Sequence, residues 1–488
     1  MSFLELLPYK PSLAEEIARG LLSSKNVVLI RAPAGSGKTS IAVAYIIHLA
    51  LLGKRGAIFL RTRREVNHAL SITRAVVSRL KTAKLLVIPT PSKERFCVMG
   101  IKKELIKYWC PITECERLLR RKYGEIEKDL MGKVFSSLDS YIELFARDKR
   151  CPYYAALELL RKADIIIGTH NYFIESELFE KLGKIDVAII DEAHALLVPK
   201  TYEGFIGAIE RGKEYARVAT EQGIPLHKYI VALGKTDTNS ARDLAEYDSY
   251  MKADGIEIKL KGKLIKVYLP KDLIRDRLQN VNRIILMSST LYPSNFFKTI
   301  FTGNTIDADM IIIPGLISGR RKVIIPRTNL SLSYAKRNEK TLLAYAEMIK
   351  NIQTEHRKKT LVFCPSNEIA REIAKYLKKE PTDELGEDLV ITVFRGKIAE
   401  GIDATGYKVA IMAGLPFPRI DPETEKILQT YSKIYKIDEK AIKEAYNLSS
   451  MISALVQAIG RVGRREEGIV YIIDARAELI RTLLQSPS

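Results

Sequence analysis

The stretch Arg31-Ala-Pro-Ala-Gly-Ser-Gly-Lys38-Thr39-Ser40 follows the apolar run Asn26-Val-Val-Leu-Ile30 and precedes a helical pattern over residues 41–52. A strand, a glycine turn and a helix come in that order. Gly35 and Gly37 let backbone amides curl around a phosphate chain, and the helix N-terminus adds its partial positive charge. Ala34, Gly35, Ser36, Gly37, Lys38, Thr39 and Ser40 therefore read as a P-loop, with Lys38 reaching the β/γ phosphates and Thr39 a magnesium ion.

Outward from this loop the same rhythm continues. Gly56-Ala-Ile-Phe-Leu ends in Arg61, Thr62 and Arg63, a helical pattern spans 65–80, and 85–89 reads as another strand. Such alternation belongs to a parallel α/β sheet. It breaks at Thr90 and resumes at Ala163-Asp-Ile-Ile-Ile-Gly-Thr-His170, leaving an insertion of about seventy residues rich in Lys and Arg. Ile185-Asp-Val-Ala-Ile-Ile then ends in Asp191-Glu192-Ala193-His194. Ligands bind at strand ends of open parallel sheets, which puts these acids beside the P-loop. In isolation they would read as a solvated acidic turn. After a P-loop, Asp191 holds magnesium and Glu192 orients and deprotonates the attacking water.

Residues 195–282 are helical and charged, with one strand-like run at 256–269, and read as a second insertion. Arg283-Ile-Ile-Leu-Met-Ser288-Ser-Thr290 returns to the sheet, and 306–332, with Pro314, Gly315, Gly319 and Pro326, reads as an interdomain linker. A second α/β unit follows, with strands at 360–364, 389–394, 408–413 and 468–473 and helices at 340–356, 367–378, 422–435 and 439–464. Within it, Arg395-Gly-Lys-Ile-Ala-Glu-Gly401-Ile-Asp403 is a glycine-punctuated loop after a strand. Gln457, Gly460, Arg461 and Arg464 lie at helical spacings on one face. Arginines presented together clamp a γ-phosphate across a cleft; without the P-loop they would read as a basic amphipathic helix.

The 488 residues, 47% of them hydrophobic, suit two to four globular domains. A net charge of +20 attracts polyanions, nucleic acid first among them, though charge alone does not choose the partner. Four of the five cysteines lie between residues 97 and 151, which fits a metal site in a reducing interior better than a disulfide framework; Cys364 reads as a strand core residue. No secretory signal is evident near Glu5, Glu15 and Glu16, and the apolar run 41–52 is too short for a bilayer, so a soluble intracellular protein is expected. A first helix is expected with Ser12 as its cap and Glu15 completing the box.

Together these motifs resemble the XPD/DinG-type superfamily 2 helicases, which are iron–sulphur DNA helicases. Residues 32–39 match the family's Walker A motif, 61–63 motif Ia, 191–194 the DEAH box, 288–290 motif III, 395–403 motif V and 457–464 motif VI. His170-Asn171-Tyr172 is similar to its asparagine–tyrosine turn. The resemblance implies an α/β architecture of two RecA-like parallel-sheet motor domains: 1–90, 160–200 and 280–305 form the first, 91–159 an iron–sulphur domain, 201–279 a short arch-like insertion and 318–488 the second motor. It implies ATP and Mg2+ bound between Lys38, Thr39, Asp191 and Glu192 on one side and Gly401, Asp403, Gln457, Arg461 and Arg464 on the other. His194, Ser288 and Thr290 would relay cleft movement to the DNA groove.

Cys97, Cys110, Cys115 and Cys151 are the implied ligands of a [4Fe–4S] cluster. Their spacings of twelve, four and thirty-five intervening residues suit a zinc ribbon poorly, and Pro152 follows the last thiolate; zinc or four unligated thiols are the alternatives. Arg61, Thr62, Tyr172 and the basic residues Lys102, Lys103, Arg120, Arg121 and Lys122 are candidate DNA contacts. The implied activity is 5′ to 3′ translocation on single-stranded DNA with unwinding of forked duplexes, in repair or replication. A nucleoid-associated monomer in a prokaryotic cytoplasm, without a fused exonuclease domain, is the expected setting. The rival readings are a DNA-stimulated ATPase that remodels protein–DNA or RNA–DNA complexes without unwinding, and a nucleotide-switched, redox-responsive nucleic-acid-binding protein.

Overall fold

Short apolar runs such as Val27–Arg31 and Val409–Ala413 become fully buried strands, because helices cover both faces of a parallel sheet. The computed structural model describes all residues except 1, 10, 12, 81–83, 99–126, 128–129, 148–149, 318–320, 401–403, 405, 464–466 and 485–488. In chain order β1 (Val27–Arg31), β2 (Gly56–Leu60), β3 (Val87–Pro89), β4 (Ile165–Thr169) and β5 (Ile185–Ile190) lead into β6 (Lys200–Phe205), β7 (Ile256–Leu260) and β8 (Lys263–Val267). After β9 (Val281–Ser288) and β10 (Ala308–Ile312) come β11 (Arg321–Ile324), β12 (Thr360–Cys364), β13 (Leu389–Val393), β14 (Val409–Ala413) and β15 (Gly468–Ile473).

The first sheet has the order β10-β1-β9-β5-β2-β4-β3 and the second β11-β15-β14-β12-β13, every neighbouring pair parallel. β1, β9 and β5 are therefore adjacent, with Arg31 opposite Ser288 and Ile190 opposite Leu286. The P-loop, Ser288 and Asp191 consequently leave the sheet side by side at its carboxyl edge.

Residues 306–332 are more than a linker. β10 pairs with β1, extending the first sheet beyond residue 305, and β11 pairs with β15 at an edge of the second. Both strands are short and flank Pro314 and Gly315, which hide them in the sequence. The run 256–269 divides into the hairpin β7–β8, turned by Lys261 and Gly262 at φ of 41° and 80°, the left-handed geometry of a two-residue hairpin loop. β6 completes a three-stranded antiparallel sheet, backed by helices Ile206–Glu221, Leu226–Thr236 and Thr238–Lys252. Ser12 lies outside the described residues; the first α-helix, Ala14–Leu21, has Leu13 at its N-cap without a side-chain bond.

Helix Glu439–Ile459 crosses between the two motor domains. Its Ile442 joins the core of the first, together with Ile427, Leu428 and Tyr431 of helix Pro422–Tyr435, whereas Met451, Ile452, Leu455 and Ile459 pack with Leu361, Phe363 and Ile472 of the second. Residues 422–446, expected inside the second motor, thus pack on the first. Each large side chain buried there contributes roughly 1.5–3 kcal/mol, so the helix forms an apolar seam anchored in the separate cores of the two domains. An ion pair between Lys200 and Glu423 and the Lys271 ammonium, 5.0 Å from the Tyr435 ring centre, edge that seam.

Candidate nucleotide site and interdomain relay

The P-loop follows β1 as a tight turn with Gly35 at φ 81° and Gly37 at φ 80°. A Cβ on Gly37 would also meet Pro11 Cγ at 2.7 Å, so backbone conformation and space both require glycine there. Helix Lys38–Leu51 starts immediately after it. The Lys38 ammonium donates to the carbonyls of Ala32 (3.2 Å) and Pro33 (3.1 Å), while the Thr39 hydroxyl donates to Asp191 Oδ2. Among the described residues, buried Ser36 Oγ has no hydrogen-bond partner. A buried hydroxyl without a partner, beside a lysine and a helix N-terminus, fits a phosphate oxygen, and the Thr39–Asp191 pair fits a magnesium ion.

Asp191 and Glu192 are consecutive but differently placed. Glu192 adopts φ 51°, ψ 42°, a left-handed conformation uncommon for a residue with a Cβ, which turns its carboxylate toward the end of β9. Burial pushes the Asp191 carboxyl above its ordinary range, the neighbouring Glu192 charge adds to this, and Lys38 and Thr39 oppose it. Burial acts the same way on Glu192, yet the His194 hydrogen bond, with Lys38 and Ser288, outweighs it and holds that carboxyl well below its ordinary range. Glu192 thus stays ionised, and Asp191 is the carboxylate that a bound divalent cation would ionise.

A continuous hydrogen-bonded chain runs from this pair into the second domain. Ser288 Oγ donates to Glu192 Oε2 at 3.0 Å, His194 Nδ1 lies 2.8 Å from Ser288 Oγ, and His194 Nε2 lies 3.0 Å from Ser453 Oγ on helix Glu439–Ile459. Ser449 Oγ donates to the Thr290 carbonyl at 3.3 Å. His194, Ser449 and Ser453 border a cavity of about 350 Å³ between the domains, lined also by Arg61, Arg395, Tyr446 and Gln457. His194, Ser288 and Thr290 are residues the motifs single out; Ser449 and Ser453 are not. The signal for Ser453 is its position one turn before Gln457 on the same helical face.

The remaining site residues are distributed as follows. Gln457 faces the interdomain cavity. Arg461 lies beyond the helix, which ends at Ile459 with Gly460 as its C-cap, so the helix does not extend from Gln457 to Arg461. Its Nε donates to the Ala399 carbonyl at 2.8 Å, tying it to the short helix Lys397–Glu400 after β13. Arg464, Gly401 and Asp403 lie outside the described residues, as do Cys110, Cys115, Lys102, Lys103, Arg120, Arg121 and Lys122.

Cys97 caps the C-terminus of helix Lys93–Phe96, and buried Cys151 caps the N-terminus of helix Pro152–Leu160; the Lys93 ammonium lies 5.7 Å from the Tyr153 ring centre. The two thiols thus end neighbouring helices, a placement that fits shared ligation. Among the described residues no group of three or more metal-ligating side chains occurs. Cys364 is fully buried in β12, where burial pushes its thiol up to about 12, an inert core residue.

Arg61 and Thr62 are exposed at the end of β2. Thr62 also closes a capping box, its hydroxyl accepting the Glu65 N–H while Glu65 accepts the Thr62 N–H at 2.8 Å. Tyr172 is 4% exposed and donates to the Pro91 carbonyl at 2.5 Å, so base stacking on its ring requires the segment around Pro91 to move.

His170 supports the acid pair from behind. Its Nε2 donates to the Asp191 carbonyl at 2.8 Å, and burial lowers its pKa from 6.5 to about 4. The folded state therefore favours the neutral ring, and the stabilisation is complete above pH 6.5 and lost as pH falls toward about 4. The loss totals about 3 kcal/mol at 1.36 kcal/mol per pKa unit. Urea unfolding at pH 7.5 and 5 is expected to show about 2 kcal/mol of this in the wild type, and less in His170→Gln, whose amide donates without titrating.

Two family models match the chain, a helicase C-terminal domain over residues 382–484 and DEAD_2 over 58–199. The ATP-dependent DNA helicase XPD of Sulfolobus acidocaldarius is 24% identical over 97% of both chains. The regulator of telomere elongation helicase 1 of Mus musculus is 24% identical over 37% of this chain and 16% of its own length. Among solved structures, an XPD helicase superposes with a TM-score of 0.63 at 20% identity, covering 98% of this chain and 96% of its own. Xpd4 of S. tokodaii gives 0.55 at 18% identity, over 96% and 95%. Among the described residues no helix is long and apolar enough to cross a membrane.

Proposed function

We propose that this chain, which belongs to the XPD/DinG-type superfamily 2 helicases, is an ATP-dependent DNA helicase that moves 5′ to 3′ along single-stranded DNA and opens forked duplexes, as a monomer, in repair or replication. The observation that carries the reading is the unbroken chain from Asp191 and Glu192 through Ser288 and His194 to Ser453, which joins the hydrolytic carboxylate to the opposite motor domain. In this reading Lys38 and Ser36 hold phosphate oxygens, Thr39 and Asp191 hold magnesium, and Glu192 removes a proton from the attacking water. Gly401, Asp403, Gln457, Arg461 and Arg464 close the site from the second domain. Arg61, Thr62 and Tyr172 lie on the DNA path. Cys97 and Cys151, with Cys110 and Cys115, would hold the [4Fe–4S] cluster, a group that supplies structural order and electron transfer when bound.

Steady-state ATP hydrolysis with and without single-stranded DNA, beside single-stranded RNA and duplex DNA, tests the reading. Stimulation specific to single-stranded DNA is expected, and hydrolysis indifferent to nucleic acid would remove the DNA track. Binding is expected to weaken with salt, with a log–log slope near −0.7 per phosphate contacted. Forked-duplex unwinding separates a helicase from an ATPase that only remodels complexes. Iron and sulphide analysis of anaerobic protein tests the cluster, and stoichiometric zinc in its place would refute it.

A further inference from the structure

The side chain of the second domain that reaches His194 is Ser453, and the protons along the relay can be assigned from its acceptors. A carboxylate only accepts, so Ser288 Oγ gives its single proton to Glu192 Oε2. The same oxygen receives the Thr290 backbone N–H at 3.1 Å. Toward His194 Nδ1, 2.8 Å away, Ser288 can therefore only accept, and Nδ1 must carry a proton. That proton also faces Glu192 Oε2 at 3.3 Å. In a neutral ring Nε2 is then an acceptor, and the donor available at 3.0 Å is the Ser453 hydroxyl.

We propose that Ser453 is a positioning residue that couples domain closure to hydrolysis, its hydroxyl donating to His194 Nε2 and fixing the ring so that Nδ1–H faces Ser288 and the Glu192 carboxylate. The inference rests on the nucleotide-hydrolysis reading above. Ser449, one turn earlier, anchors the same helix to the Thr290 carbonyl and sets Ser453 in register with His194. When the domains part, Nε2 loses its donor and the imidazole is no longer held from the second domain, so Nδ1–H is free to turn away from Ser288 and Glu192. The base is thus correctly held only when both domains are in place.

The test compares Ser453→Ala and Ser453→Thr with the wild type. With saturating single-stranded DNA, kcat of Ser453→Ala is expected to fall about tenfold, in line with the loss of one positioned hydrogen bond. KM for ATP is expected to stay within about twofold, because Ser453 touches neither P-loop nor phosphate. Ser453→Thr, which keeps the hydroxyl, restores kcat. In 15N spectra of protein labelled at its six histidines, the acceptor Nε2 signal of one Nδ1–H imidazole is expected to shift in Ser453→Ala and to return in Ser453→Thr. Wild-type kcat in a folded Ser453→Ala, or no restoration by threonine at an unchanged melting temperature, overturns the proposal. If the wild type hydrolyses no ATP, the hydrolysis reading has failed; the imidazole spectrum still decides Ser453, since an unmoved Nε2 signal in Ser453→Ala refutes its role.

Discussion

Glu192→Gln is expected to reduce DNA-stimulated ATP hydrolysis by about 10³-fold, the range of a lost general base, while leaving nucleotide binding intact. Its carboxylate accepts from Ser288 Oγ and lies 3.3 Å from His194 Nδ1, and the hydrogen bond from His194, with Lys38 and Ser288, holds it ionised despite burial. A glutamine amide has the same shape and can still accept the Ser288 proton through its oxygen, but it cannot take a proton from water. The variant therefore separates chemistry from folding. Because the wild-type carboxyl is held below its ordinary range, the base remains ionised on acidification, and its loss of activity is expected at a lower pH than for an unperturbed glutamate. Phosphate-release assays, paired with binding of a fluorescent ATP analogue, measure both parts. More than a tenth of wild-type turnover in Glu192→Gln would assign water activation to another residue.

The second large effect is expected from Lys38→Ala. Turnover should fall about 10²- to 10³-fold, the loss seen when one donor to developing negative charge is removed, and nucleotide affinity should weaken by about tenfold or more, as for hydrogen bonds to charged groups. Lys38 is 7% exposed, and its ammonium rests on the Ala32 and Pro33 carbonyls, poised within the glycine turn. Its charge also favours ionisation of both Asp191 and Glu192, so its removal weakens the magnesium site and the base together. Titration of the fluorescent analogue and a magnesium dependence of hydrolysis check the two consequences. Unchanged affinity with unchanged magnesium dependence would mean that the phosphates lie elsewhere.

How much of this was legible in advance follows from how local each feature is. The P-loop is contiguous, and its strand, glycines and lysine fall within about a dozen residues, so short-range backbone geometry is enough to read it. The acid pair at the end of β5 was legible for a similar reason, once a parallel sheet was inferred from the βαβ rhythm. β10 and β11 were not, because strands of five and four residues beside proline and glycine carry little periodicity and owe their pairing to distant partners. The helix Glu439–Ile459 was legible as a helix, yet nothing in its pattern says that Ile442 and Ile452 are buried in different cores.

Residues alone therefore determined the α/β class, the nucleotide loop, the Asp191–Glu192 pair and the motif VI segment, since each depends on neighbours in the chain. Tertiary structure decided the left-handed turn at Glu192, the sharing of one helix between two domains, the end of that helix before Arg461 and the contact between His194 and Ser453, 259 residues apart. The physical reason is that a hydrogen bond of about 3 Å needs both partners fixed in space. Only the packed sheets and their shared apolar seam supply that constraint.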